Sequence, residues 1–255
     1  MQTMTTAQQR EVDATSEANI PTNYAKLMAR ELGLTARQLP RLLRGTGIGT
    51  RQFLNDDSLL TPAQQIRMLH NALALSGQPE FGLRLGERLT PATHGAMGFA
   101  ACSSPDLLTA LQAFHKFVPT RASFIQLHLQ QVEKRMECRV DFQMPLDEDI
   151  ARCLADTVAK ALFEIGEFIV GRPLYEAEIC FAHSAPSYQA VYPDYIPGEF
   201  RFDCDELKLK VPITLCQMPN VSANSENYKY QDAKLMALTK TKPWRSSFNM
   251  FELFN

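Results

Sequence analysis

Phe124-Ile-Gln-Leu-His-Leu-Gln130 and Met136-Glu-Cys-Arg-Val-Asp-Phe-Gln143 decide the fold of this chain. Before Phe124 apolar residues recur at helical spacing; here they recur at every second position. Ile125, Leu127 and Leu129 alternate with Gln126, His128 and Gln130, and Met136, Cys138, Val140 and Phe142 alternate with Glu137, Arg139, Asp141 and Gln143. Successive side chains on a strand point to opposite faces, so the pattern predicts two strands with one wet face and one buried face. The short charged link Glu133-Lys-Arg135 makes them an antiparallel hairpin.

Downstream, Asp147 caps a long helix carrying Ile150, Leu154, Val158, Leu162, Ile165 and Ile169, ended by Gly171 and Pro173. Ala177, Ile179 and Phe181 mark a third strand, and Ser187 to Tyr195 a short helix. Phe200 and Phe202, then Leu207, Leu209 and Val211, mark two more strands around Asp203-Cys-Asp205. Upstream lie helices only. Tyr24, Leu27, Met28 and Leu32 form an apolar stripe that stops at Gly33, and Thr35 and Gln38 have the spacing of a capping box. Thr61-Pro62-Ala-Gln64 starts a helix with Ile66, Leu69, Leu73 and Ala74 on one face. Pro79 to Leu89 makes another, Thr90-Pro91 starts a further one, and Ser104-Pro105 opens a helix that buries Leu107, Leu108, Leu111, Phe114 and Phe117. Helices followed by ββαβαββ predict an α+β fold, a helical N-terminal region packed with a mostly antiparallel sheet. Residues 1–19 read as a disordered leader, 20–217 as one domain, and 218–255 as a linker or truncated tail. Within that tail Tyr228 to Thr239 has weak helical character, and Trp244, Phe248, Phe251 and Phe254 stand without an apparent partner.

Composition excludes more than it identifies. A formal net charge of -2 supplies no global attraction to nucleic acid or anionic membrane. There is neither a signal peptide nor an apolar run near the ~20 residues that cross a bilayer, which places the chain in the cytoplasm. Its six cysteines form no CxxC pair and read as reduced thiols. No GxSxG, HExxH or phosphate-binding loop is present, Asp147, Glu148 and Asp149 suit a helix N-terminus, and no cofactor is implied. An enzyme of unrecognised type remains only as a remote alternative.

Two groups of residues are candidates for binding. His94, between Thr93 and Gly95, could anchor a small ligand or simply pack at a helix start; Gly95 and Gly98 allow close backbone approach there. Phe99 and Phe114 supply apolar surface, and His115 and Arg121 flank the helix as donors for an acidic ligand or as solvated helix ends. The other candidate is residues 24–44, where Ala29, Gly33 and Leu39 match helix-turn-helix spacing, with Arg37, Arg41 and Arg44 as DNA contacts. Pro40 opposes it, because it would break the recognition helix.

The stretch from Phe81 to Arg121 carries a resemblance. Leu32-Gly-Leu34 with Leu42-Leu43 and Gly45-Thr-Gly-Ile48, then Phe81-Gly-Leu-Arg-Leu-Gly86, then His94-Gly95 to Ser103-Ser104-Pro105, then Tyr192-Pro193, occur in the order and spacing of one family. Over roughly residues 20 to 217 the chain resembles the N-terminal ligand-binding and dimerisation domain, often labelled arabinose-binding, of AraC-type transcriptional regulators. The resemblance implies a small-molecule effector, a homodimer, and DNA contacts through a C-terminal helix-turn-helix domain that this sequence lacks.

Overall fold

The structure, a computed structural model, describes residues 17–240. The expected leader falls outside them up to residue 16, as does the aromatic stretch from 241 to 255. β1 (Ile20–Pro21) enters α1 (Thr22–Glu31) and pairs with β2 (Leu59–Leu60); between them lie α2 (Leu39–Leu42) and α3 (Thr50–Leu54). α4 (Pro62–Ser76) begins with the expected capping box. Thr61 accepts from the Gln64 amide, Gln64 Oε1 accepts from the Thr61 amide, and Gly77 ends the helix in the left-handed conformation. Thr35 and Gln38 complete only part of such a box, through the Gln38 side chain. The helix starts later, at Leu39, where Pro40 suits the first turn.

α5 (Phe81–Glu87), a 3₁₀ turn (Pro91–His94), α6 (Ala96–Ser103) and α7 (Leu107–Phe117) lead into β3 (Ile125–Val132) and β4 (Arg135–Phe142). The hairpin link is only Glu133 and Lys134, with Glu133 at a φ of 51°. α8 (Glu148–Val170), capped by Asp147, crosses to β5 (Glu178–Cys180). α9 (Tyr192–Tyr195), β6 (Glu199–Arg201), β7 (Leu207–Pro212), α10 (Ile213–Cys216) and α11 (Ser225–Lys240) follow. The sheet order is β3-β4-β7-β5-β6, antiparallel except for the β5–β6 pair. This is the α+β arrangement that the periodicity predicts. Cross-strand register lines up Leu129, Cys138, Leu209, Ile179 and Phe200 in one apolar row. The opposite face is charged: Lys208 bridges Glu137 and Glu206, and Lys210 meets Glu178, each at 3.1 Å.

α8 serves two cores. Ile150, Cys153 and Leu154 pack with α1 and α4, whereas Ala159, Phe163 and Ile169 pack with the sheet and α7. α5 lies against α8 more closely than side chains would permit. A Cβ on Gly82 would stand 2.3 Å from the Cys153 carbonyl oxygen, and one on Gly86 2.6 Å from Lys160 Cβ. These two glycines of the Phe81–Gly86 motif therefore face the long helix. Residues 218–240, read from the sequence as linker or tail, pack onto the domain. Asn220 donates to the Cys102 and Ser104 carbonyls, and α11 lies on α6 with Leu235 buried. Among the described residues no helix is long and apolar enough to cross a membrane.

Candidate functional site

Where the two cores meet, they leave a cavity of about 130 Å³. α1, α4, α5, the 3₁₀ turn, α6, α7, β3 and α8 all contribute to its walls. Most of the lining is hydrocarbon, with Met28, Leu69, Phe114, Leu154, Leu162 and Ile165 typical of it. Along these hydrocarbon walls water finds no polar partner, so this part of the space suits an apolar guest. The residues α8 turns toward it include the small Thr157, Val158 and Ala161, which is why the space is not filled.

One end is polar. Arg121 Nε donates to the Tyr24 hydroxyl oxygen at 3.2 Å, and that hydroxyl lies 3.1 Å from His94 Nδ1. The guanidinium also stands 5.6 Å from the Tyr24 ring centre, and the edge of one ring meets the face of the other where His94 contacts Phe114. Gly95 makes this possible twice over. Its φ of 58° and ψ of -135° suit glycine, and a Cβ there would stand 3.1 Å from Arg121 Nη1. Gly98 lets α6 start against the preceding turn, since a Cβ on it would fall 1.7 Å from the Pro91 carbonyl oxygen. Asn23 ties the same turn to α1 by donating to the Thr93 carbonyl at 2.7 Å.

Burial governs the titration of this cluster. His94 is pushed down to about 4, first by loss of solvation and then by the Arg121 charge, with the Leu89 carbonyl opposing. It is therefore neutral at pH 7. Burial raises the Tyr24 hydroxyl, and Arg121 partly offsets that. Two buried polar atoms on the lining have no hydrogen-bond partner: His94 Nε2 and Gln65 Oε1.

Of the residues singled out from sequence, His94, Phe114 and Arg121 meet at this cavity. Phe99 and His115 do not line it. Phe99 is half exposed, and His115 Nδ1 lies 2.5 Å from the Leu127 carbonyl oxygen. Phe99 lies two positions after Met97 and His115 one position after Phe114, and it is Met97 and Phe114 that face the cavity. Helical side chains turn by about 100° per residue, so positions one or two along the chain point elsewhere. Arg37, Arg41 and Arg44 lie on or beside α2, which is one turn long and carries Pro40. A helix that short cannot lie along a groove with several side chains reaching bases. Tyr24 and Gln65 were not singled out, because each sits among apolar residues that already explain its helix.

A second buried cluster is structural. Asp156, on α8, accepts from Tyr188 Oη at 2.7 Å and Tyr192 Oη at 2.5 Å, and His183 Nε2 lies 3.5 Å away. Burial and the neighbouring carboxylate push both tyrosines up, so their protons stay in these bonds. The Tyr192-Pro193 motif thus pins α9 to α8. The thiols of Cys138, Cys153 and Cys216 are pushed up to about 12 by burial and are not nucleophiles at neutral pH.

Known proteins place this architecture in a class. The structure is similar to that of the transcriptional regulator CdpR from Pseudomonas aeruginosa, with a TM-score of 0.53 and 16% identity over 69% of this chain and 64% of that one. At that identity the likeness is one of fold. The family model described as the arabinose-binding domain of AraC transcription regulators, N-terminal, matches residues 37–220, and the chain belongs to this family. A relative, the ornithine utilization regulator of Pseudomonas aeruginosa, is 29% identical over 175 residues, 69% of this chain and 51% of the relative. The chain spans about half the length of that relative.

Proposed function

We propose that the domain is the effector-binding and dimerising part of an AraC-type transcription regulator, acting in the cytoplasm by binding rather than by catalysis. The observation that carries this is the cavity at the junction of the two cores, with buried His94 Nε2 left without a partner on its wall. Sealed and empty, a hole of about 130 Å³ would cost folding up to about 3 kcal/mol at the usual cost per unit volume. A guest that fills it recovers part of that and stabilises the fold by mass action. α11 docks beside α6, so we take the working domain to extend to residue 240. Operator contacts belong to another part of the regulator, because α2 is too short to read a groove. The relative's name refers to ornithine, but among the described residues no acidic side chain lines this cavity to receive its ammonium groups, and Arg121 would repel them.

The test is a thermal-shift screen against small metabolites, repeated on Ala161→Leu. The substitution places a larger side chain in the cavity. A ligand whose stabilisation disappears in that variant supports the assignment; no stabilising ligand across acids, amines, alcohols and sugars refutes it. Sedimentation over a range of concentrations checks the dimer.

A further inference from the structure

The polar end of the cavity is incomplete in a way that specifies its guest. Arg121 is a donor only, so its Nε–H points to the Tyr24 oxygen. The Tyr24 hydroxyl proton then goes to the acceptor beside it, His94 Nδ1. A neutral imidazole accepting at Nδ1 carries its proton on Nε2. That N–H is buried and lines the cavity; no acceptor meets it in good hydrogen-bond geometry, the Leu89 carbonyl being the one backbone acceptor near the ring. Arg121 meets no carboxylate among the described residues; it meets the Tyr24 hydroxyl and ring. The site thus offers a neutral donor and a cation, joined through one tyrosine, above hydrocarbon walls.

Resting on the effector-binding assignment above, we propose that the cavity takes a small apolar monocarboxylate. The carboxylate is held by the Arg121 guanidinium and His94 Nε2–H, and the hydrocarbon part lies among Met28, Leu69, Leu154, Leu162 and Ile165. The size follows from the volume: a dry cavity of about 150 Å³ holds benzene, and this one has about 130 Å³. The hydrocarbon part of the guest is therefore no larger than about a benzene ring, and a branched chain of about four carbons fits as well. A dianion such as phosphate would bury a second charge opposite one arginine, and an ammonium would face Arg121 with no counter-charge on the walls. Gln65 Oε1, the other unpartnered atom on the lining, is an acceptor that a hydroxyl on the guest would satisfy.

The experiment is isothermal titration of the full chain at pH 7 with benzoate and 3-methylbutanoate, beside benzamide, benzyl alcohol, benzylamine and inorganic phosphate. Both acids are expected to bind. The amide and the alcohol should bind about tenfold more weakly or worse, from loss of the charge-assisted bond, and benzylamine and phosphate should not compete. Arg121→Gln should level benzoate with benzamide, while Arg121→Lys keeps the preference for acid. If Arg121→Gln does not fold, the charge series on the unaltered chain decides alone. Equal binding of amide and acid, or preference for the amine, overturns the carboxylate and leaves the cavity assignment standing. Acid binding that survives Ala161→Leu places the anion elsewhere and overturns it too. Binding by none of the probes overturns both.

Discussion

His94 makes the stability of this domain depend on pH in a direction and range that can be calculated. In the unfolded chain its imidazole titrates near 6.5; folded, it titrates at about 4. Between those values the unfolded chain binds a proton that the folded chain refuses. Stability therefore rises with pH across the window: the full contribution is present above 6.5, is lost progressively as pH falls to 4, and does not change further below. The depression corresponds to about 3 kcal/mol, since one unit is worth about 1.36 kcal/mol. His94 is 8% exposed, so solvent screening does not reduce this much. For a domain of this length the difference is about 6 to 12 °C in Tm.

The measurement is guanidinium unfolding followed by circular dichroism at pH 7.5, 6.5, 5.5 and 4.5, on the unaltered chain and on His94→Gln. Glutamine does not titrate, so subtracting the two curves removes the carboxylates and the other histidines. The unaltered chain should lose stability faster than the variant below pH 6.5, and the gap should approach its limit near pH 4.5. Parallel curves refute the reasoning, as would an NMR titration placing the folded His94 near 6.5. Either result would mean that water solvates the ring, that Arg121 lies farther from it, or both.

Four other substitutions, one of them a control, test separate parts of the structure. Tyr192→Phe removes the hydroxyl 2.5 Å from Asp156 and leaves a buried carboxylate short of a donor; chemical denaturation should register a loss of about 1–3 kcal/mol. Gly98→Ala puts a Cβ against the Pro91 carbonyl and should cost about 3 kcal/mol, whereas Gly49→Ala, with nothing within 4 Å and an ordinary φ of -83°, should stay within about 0.5 kcal/mol. Ala161→Leu should raise the melting point of the ligand-free chain by filling part of the cavity, and a lowered one would mean that the space is too tight for the added carbons.

What could be read from the residues is what local chemistry determines. The hairpin was legible because its alternation allows only one face to be buried, and the Thr61 and Asp147 starts because their side chains satisfy amides within the same turn. The DNA-reading alternative at 24–44 shows where local signals compete: the Ala29, Gly33 and Leu39 spacing is there, but Pro40 shortens the helix to one turn. The candidate site was half legible. His94 attracts notice beside Gly95 and Arg121 as a charge at the end of an apolar helix, yet their link runs through Tyr24, 70 positions before His94 and 97 before Arg121. Tyr24 had served as an apolar residue on its stripe, and nothing within its helix says that its hydroxyl is used. Asp156 was invisible for the same reason, because its tyrosines are 32 and 36 residues away.

The cavity itself could not be read at all, and the reason bears on what it is for. A void is a property of packing between elements, and each of its walls looks like ordinary core from within its own helix or strand. Its energetic cost nevertheless marks it. Dry and sealed, the hole would cost up to about 3 kcal/mol, and each buried atom beside it that water does not reach about 1–3 kcal/mol more. Total stabilities of domains are about 5–15 kcal/mol, so this is a substantial fraction to forgo. The remedy lies one substitution away on α8, where Ala161 faces the space. A purely structural core at this junction would gain by closing, and the glycines at 95 and 98 would not need to bring an arginine and a turn against its rim. On the proposed effector-binding reading, the penalty is kept because an apolar guest with an acceptor at one end recovers it on binding.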